Sequence, residues 1–377
     1  MEGFESLLDQ MSAFLEPWML QWHYRSRDER LIAFSNQHIY HDLVTFPGIG
    51  ADGMGVSHVL VQASGATGAE SVEEEVAKVA ELVIEHARTR PKETLGVIAL
   101  GITHARRVEQ AIEARLASLP ELAAFFAEDA PERFFVKNLE RVQGDERDHI
   151  ILTLGAGPGP DGRVSNVRFG PLNREGGQRR LNVAVTRSKR RMTLVSSFTH
   201  QAMSPGRAGT GTELLQAYLA YAASGGQVIT DAAGSGAALT PFEADIRDAL
   251  AARGIPVVPR LGASEYKIDF AGRDQADPAR FVLAVESDGP GYRGAPTVRD
   301  RDRLRRQQLE ALGWTFHRIW TGDWFRRREA EIERAVAAYT AAAAPRPRPA
   351  AGSMLPVPGA PAVNSSFDLP HPLKTAA

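Results

Sequence analysis

Apolar positions in the first 200 residues follow two alternating rhythms. Over 71–88, Val72, Val76, Val79, Val83 and Ala87 recur at helical spacing, and the short apolar run 95–100 after them reads as a buried strand. A second helix is predicted over about 104–117, and 134–136, 150–154 and 192–196 read as further buried strands. Strands alternating with helices predict a parallel sheet covered on both faces. Between them, 156–179 is rich in Gly, Pro and Arg and reads as a long surface loop, a kind that is usually functional or disordered.

The pattern changes after residue 200. Residues 201–237 read as a connector with one helix-like stretch, 213–223, between Gly/Ser/Ala-rich ends. Thr240-Pro241-Phe242-Glu243 is a helix start: Thr240 caps, Pro241 fits the first helical position and Glu243 closes a capping box. Gly254 ends that helix. Strands are predicted at 255–259, 266–271 and 281–286, then an arginine-rich helix over about 298–312 stopped by Gly313, a strand at 316–320 and a last helix over about 324–341. The Ala/Pro-rich remainder lacks apolar periodicity and is expected to be disordered. The expected organisation is a sheet domain over 1–200, a connector over 201–237, a small α/β domain over 238–341 and a tail over 342–377.

Composition narrows the chemistry. A chain of 377 residues with 43% apolar and 24% charged positions supports two ordinary cores. No run of eighteen apolar residues and no basic–apolar leader is present, so the expectation is a cytoplasmic protein with no membrane partner. With no cysteine, disulfides, thiolate zinc sites and a cysteine nucleophile are excluded. The net charge of −2 gives no global nucleic-acid signal, but between Arg293 and Arg328 ten arginines stand against four acids. Arg299, Arg301, Arg303, Arg305 and Arg306 are therefore either a solvated helix face or phosphate contacts.

Three acids stand at predicted strand ends: Asp269 closes one strand, and Glu286 and Asp288 the next. Carboxylates converging from adjacent strands suit a hard cation, and Mg²⁺ needs only one or two of them beside water and a substrate phosphate. The alternative is solvated turn acids. Period two puts Lys267 on the side of Asp269, and Asp288 on that of Glu286. The stretches PFEADIRDALAARGIPVVP, YKIDFAG, VLAVESDGPGYRG and RDRDRLRRQQLEALGWTFHRIWTGDWF cover most of 240–328. In order and spacing they resemble the PD-(D/E)xK restriction-endonuclease-like superfamily, most closely the short domain related to very-short-patch repair endonucleases at the C-terminus of some bacterial helicases. The resemblance implies Asp269 and Glu286 as ligands of Mg²⁺ or Mn²⁺ and Glu243 as an auxiliary acid, with the capping box as the equal alternative. Two departures stand out. The superfamily lysine two residues after the acid is Asp288 here, with Lys267 a candidate substitute, and the Tyr-His of the relatives is Tyr292-Arg293. Trp320 and Trp324 are expected to pack rather than to stack on bases.

Three further motifs occur in the first half: Gln21-Trp22-His23-Tyr24-Arg25-Ser26-Arg27 with the following Glu29–Asn36 stretch, Val142-Gln143-Gly144-Asp145-Glu146-Arg147-Asp148 before a strand, and Leu181-Asn182-Val183-Ala184-Val185-Thr186-Arg187-Ser188-Lys189-Arg190 before another. In this order they resemble motifs IV, V and VI of superfamily 1 helicases, which implies the second RecA-like domain over about 20–200. The resemblance implies Arg25 and Arg187 as arginines reaching ATP across a cleft, where a guanidinium stabilises the charge that spreads over a transferring phosphoryl group. Tyr24 is implied near the base, Gln143 and Gly144 along the nucleotide and nucleic-acid side, and Glu146 at the ribose. Nothing matches GxxxxGK[ST] and no Walker B acid precedes the motifs, so the expectation is that the first RecA-like lobe is missing, that ATP binds only with that lobe supplied by a longer chain or partner protein, and that residue 1 lies where relatives leave it. The leading expectation is a DNA-processing helicase–nuclease fragment acting on nucleic acid, with DNA favoured. The alternative is a catalytically silent nucleic-acid-binding module in which both sites have decayed.

Overall fold

The computed structural model describes residues 7–16, 20–50, 54–63, 71–204, 207–226, 238–289, 292 and 297–344. Chain order gives α1 (Leu7–Ser12), α2 (Arg30–Ser35), β1 (Gly55–Leu60), α3 (Glu73–Thr89), β2 (Leu95–Ala99), α4 (Ile102–Leu116), β3 (Phe135–Asn138), β4 (Arg147–Thr153), α5 (Gly177–Val185), β5 (Ser188–Ser196) and α6 (Gly211–Ala223). The second set is α7 (Pro241–Ala252), β6 (Val257–Leu261), β7 (Ile268–Arg273), β8 (Phe281–Ser287), α8 (Arg305–Ala311), β9 (Thr315–Ile319), α9 (Thr321–Arg326) and α10 (Arg328–Ala343). The fold is mixed α/β: a five-stranded sheet in the order β1-β5-β4-β2-β3 and a four-stranded sheet β6-β7-β8-β9.

Every pairing in the larger sheet is parallel. Its central strands are sandwiched, as their near-continuous apolar sequence requires. Alternate residues divide between the faces: Val97, Ile151 and Val195 meet Val76, Val79 and Val83 of α3 and Val108 and Ile112 of α4. Ile98, Ile150, Leu152, Met192 and Leu194 face Leu181 of α5, Leu215, Tyr218 and Leu219 of α6 and Phe34 of α2. Each fully buried aliphatic side chain here contributes about 1.5–3 kcal/mol over an exposed one.

Two stretches differ from their expected character. The 156–179 stretch is anchored rather than lying on the surface, because Ala156, Val164, Phe169 and Leu172 enter the core beneath α5 and α6. The helix of the 201–237 stretch is likewise part of that core, and its start is so close to α5 that a Cβ on Gly211 would lie 2.5 Å from the Gly177 carbonyl carbon. Residues 227–237 and the tail from 345 lie outside the described residues, as does Arg293.

The smaller sheet is antiparallel at β6/β7 and β7/β8 and parallel at β8/β9. One face carries Phe270, Leu283, Val285 and Ile319 against Ile246 and Leu250 of α7, Trp324 of α9 and Ile332, Ala335 and Tyr339 of α10. Ile268, Ala271 and Ala284 belong to a second cluster, packed by Leu309, Leu312 and Trp314 and by Phe46 from the N-terminal segment, with Trp22, Val44 and Ile49 beside it. Main-chain and side-chain bonds fasten that segment: Phe281 N–H to Ile49 O at 2.8 Å, and Trp314 Nε1 to Pro47 O at 2.8 Å. The predicted last helix is broken into α9 and α10 at Arg327, whose backbone (φ −142°, ψ 47°) is not helical. The arginine-rich segment runs as a π-helical turn over Asp300–Leu304 into α8.

Candidate functional site

Asp269 in β7 and Glu286 in β8 flank the paired residues Phe270 and Val285 of the two antiparallel strands. Ser287, next to Glu286, donates its backbone N–H and its hydroxyl to Asp269 Oδ2, both at 2.8 Å. On the other side of β8, Arg318 pairs in register with Glu286, and its Nη2 lies 3.4 Å from Glu286 Oε2. The hydroxyl of the buried Tyr266 donates to Glu286 Oε1. Arg305, at the start of α8, holds its guanidinium 4.9 Å from the Tyr266 ring centre.

This environment shifts both carboxyls upward. Burial raises Asp269, the two bonds from Ser287 oppose it, the charge of Glu243 adds to it and Arg260 opposes it. Burial also raises Glu286; the Tyr266 hydrogen bond opposes the rise, Asp269 adds to it, and Arg318 and Arg305 oppose it. Two neighbouring carboxyls that are each harder to ionise, Glu286 buried and Asp269 partly buried, suit a hard cation. Among the described residues no group of three or more His, Cys, Asp or Glu is close enough to hold a metal ion. The fit is therefore that of a site with two protein carboxylates.

The other expected site residues divide. Glu243 forms the capping box of α7: its backbone N–H reaches Thr240 Oγ1 at 3.2 Å, its Oε2 accepts from Thr240 N–H at 2.7 Å, and Arg260 lies 3.4 Å from the same oxygen. Asp288 Oδ1 accepts from the Thr321 N–H at 2.8 Å and from the Thr321 hydroxyl, tying the end of β8 to the first turn of α9. Lys267 precedes β7 and is half-buried. Arg299 and Arg303 are exposed, Arg306 pairs with Glu310 at 2.8 Å on its own helix, and the side chain of Arg301 lies outside the described residues. Trp324 is fully buried with its Nε1 2.7 Å from Asp245 Oδ2, whereas Trp320 is partly exposed and meets Tyr292 edge-on. Sequence reasoning missed Tyr266, Ser287 and Arg318. Tyr266 lies three residues before Asp269 and Ser287 directly follows Glu286, but Arg318 reaches the site only through the parallel β8/β9 pairing.

A second cluster forms at the larger sheet. Arg25 Nε lies 2.6 Å from Glu146 Oε2, and Lys189 Nζ lies 3.4 Å from Glu146 Oε1 and 2.6 Å from Glu132. Burial raises the Glu146 carboxyl, but Arg25 and Lys189 outweigh it and leave it below the ordinary value. Arg187 donates to Val183 O at 2.7 Å; burial lowers its pKa, as does the charge of Arg25. Arg25, Glu146 and Arg187 from three separate motifs thus share one electrostatic neighbourhood. Tyr24 is 77% exposed. Gln143 and Gly144 form an exposed turn before β4, where Gly144 at φ +90° takes a conformation that side chains disfavour.

The two halves match two different family models. Residues 59–199 match an AAA domain (AAA_12), and residues 242–338 match the restriction-endonuclease-type family REase_MTES_1575. The chain is 28% identical over 330 residues to an uncharacterized ATP-dependent helicase, MG140, of Mycoplasma genitalium, and 27% identical over 326 residues to its homolog in Mycoplasma pneumoniae. Each alignment covers 81% of this chain and 28% of the relative, so the chain spans little more than a quarter of those helicases. The C-terminal domain of a possible DNA helicase from Lactobacillus plantarum WCFS1 aligns at 16% identity over 48% of this chain and 90% of that one, with a TM-score of 0.29, too low to bear on the fold. A helicase-like segment is joined here to a restriction-endonuclease-like one. No helix of the described residues is long and apolar enough to cross a membrane.

Proposed function

We propose that this chain is part of a cytoplasmic helicase–nuclease that processes DNA, with motifs of superfamily 1 type over about 20–200 and a nuclease domain related to very-short-patch repair endonucleases over 238–341, joined by the 201–237 connector. The observation that carries the reading is the carboxylate pair Asp269 and Glu286 on neighbouring strands, Glu286 buried and Asp269 partly so, with both carboxyls raised above their ordinary values. These two would hold Mg²⁺ or Mn²⁺. Such an ion polarises a scissile phosphate and lowers the pKa of an attacking water. Ser287 fixes the Asp269 oxygen and Tyr266 that of Glu286, so both donors keep their orientation between turnovers. Arg305 stands beside the pair, where it offers charge to a phosphate; the exposed Arg299 and Arg303 extend that positive surface, and Lys267 is the remaining candidate amine.

In the helicase-like half, Arg25 and Arg187 would reach the phosphates of an ATP held by a lobe outside these residues, with Glu146 setting the direction of Arg25. Tyr24, Gln143 and Gly144, all at the surface, are available to the nucleotide or nucleic-acid strand. Supercoiled plasmid incubated with Mg²⁺ or Mn²⁺ tests the nuclease reading: nicked or linear product that disappears with Asp269→Ala supports it.

Two observations favour the alternative, a silent nucleic-acid-binding module. Arg318 already supplies positive charge to Glu286, and Asp288 is committed to the start of α9. That reading predicts salt-sensitive DNA binding with no cleavage in either metal.

A further inference from the structure

The loop between β6 and β7 carries Tyr266, and it is fastened from outside its own sheet. Glu29, at the start of α2, accepts from the Ala263 N–H at 2.9 Å. Thr45 N–H donates to Ser264 Oγ at 3.0 Å, and the same hydroxyl returns to Thr45 O at 3.1 Å. The Thr45 hydroxyl closes the set on Glu29. Next to these bonds Phe46 packs against Tyr266 with ring centres 4.7 Å apart, and Trp22 lies behind Phe46 at 5.1 Å. Arg305 faces the Tyr266 ring as well. Both Phe46 and Tyr266 are 4% exposed. The phenol has one rotatable polar atom, and it points at Glu286 Oε1.

We infer that Tyr266 is a positioning residue of the carboxylate pair and that the helicase-like half completes the nuclease site by seating Phe46 against it. This inference rests on the nuclease reading above. A glutamate side chain has three rotatable bonds, and one oriented for a cation must be held in a single rotamer. Tyr266 holds it through the hydroxyl, and Tyr266 is itself held by Phe46 and by the Glu29–Thr45–Ser264 bonds. The residues nearest the reacting centre therefore depend on a segment more than 200 positions earlier in the chain. That same segment carries Arg25, so the carboxylate pair and the arginine cluster share one structural element.

The full 377-residue chain tests this with Mn²⁺ as probe. Tyr266→Phe keeps the ring and its packing and removes only the hydroxyl. The expected result is at least tenfold weaker Mn²⁺ binding by calorimetry without DNA. With plasmid, kcat falls at least tenfold while KM for DNA changes less than twofold. Phe46→Ala reproduces the defect, and Phe46→Leu, which refills most of the volume, restores most of the binding. Phe46→Ala that folds and binds Mn²⁺ like wild type overturns the seating role of Phe46; if it fails to fold, the milder truncation Phe46→Val is read the same way. Asp269→Ala separates the two claims. If it abolishes Mn²⁺ binding while Tyr266→Phe binds and cleaves like wild type, the positioning role is overturned and the nuclease reading stands. If the wild type neither binds Mn²⁺ nor cleaves, both are overturned.

Discussion

Arg318 stands beside Glu286 in the parallel register of β9 and β8, with Nη2 3.4 Å from Oε2 and both side chains largely buried. Its guanidinium also lies 4.7 Å from the Tyr292 ring centre and 5.5 Å from that of Trp320. Arg318 gives Glu286 a fixed positive charge, which a metal proposed at Asp269 and Glu286 would have to share or displace.

Arg318→Gln leaves a buried carboxylate without its arginine, which costs on the order of 3 kcal/mol in folding stability. Divalent metal then takes over the neutralising role. Addition of millimolar Mn²⁺ is expected to raise the melting temperature of the variant more than that of wild type. An equal rise in both proteins shows that Arg318 and the metal act at different places.

A conservative change at Glu243 tests whether it only caps α7 or also serves as an auxiliary acid. A glutamine preserves both hydrogen bonds of the capping box and loses the pairing with Arg260, so Glu243→Gln is expected to cleave DNA like wild type and to lose no more than about 1 kcal/mol of stability. Thr240→Ala breaks the cap and is expected to lose about 1 kcal/mol by urea titration. Cleavage lost with Glu243→Gln at unchanged stability identifies Glu243 as an auxiliary acid.

Glu29 gives a pH signature. Burial raises its pKa from the ordinary 4.5 to about 7, opposed by the bonds from Thr45 and Ala263. The folded chain therefore binds more protons than the unfolded chain between these values. The stability due to neutral Glu29 is full below pH 4.5 and is lost as pH rises through 7, by on the order of 3 kcal/mol. Unfolding midpoints measured at pH 5 and pH 8 are expected to differ less in Glu29→Gln than in wild type. Identical differences contradict a buried neutral Glu29.

Much of this was legible in the sequence because single elements announce themselves. The central strands of the larger sheet were readable as short apolar runs, α3 by its valine spacing and α7 by Thr240-Pro241-Phe242-Glu243. β1 was not, since an edge strand holding Ser57 and His58 has neither alternation nor an apolar run. The packing of 156–179 escaped because Val164, Phe169 and Leu172 are isolated apolar residues among Gly and Pro, with no period to reveal a buried face. At the site, Asp269 and Glu286 were visible as strand-end acids. Arg318 and Phe46 act across long sequence separations that only strand order and packing create.

The arginine cluster makes a further prediction. Arg25 and Arg187 share one neighbourhood, yet the 377 residues contain no GxxxxGK[ST] to cradle phosphates. The chain alone is expected to release no phosphate from ATP above background, with or without single-stranded DNA. Release that disappears with Arg187→Ala contradicts the requirement for an external lobe.

Cleavage of supercoiled plasmid by the full chain, with Mg²⁺ or Mn²⁺ and with Asp269→Ala and Glu286→Ala in parallel, tests the central claim most directly. The carboxylate-pair account predicts metal-dependent nicking or linearisation by wild type, abolished by EDTA and reduced at least a hundredfold in either variant while DNA binding persists. Equal product from wild type and Asp269→Ala, or none from wild type in either metal, contradicts it.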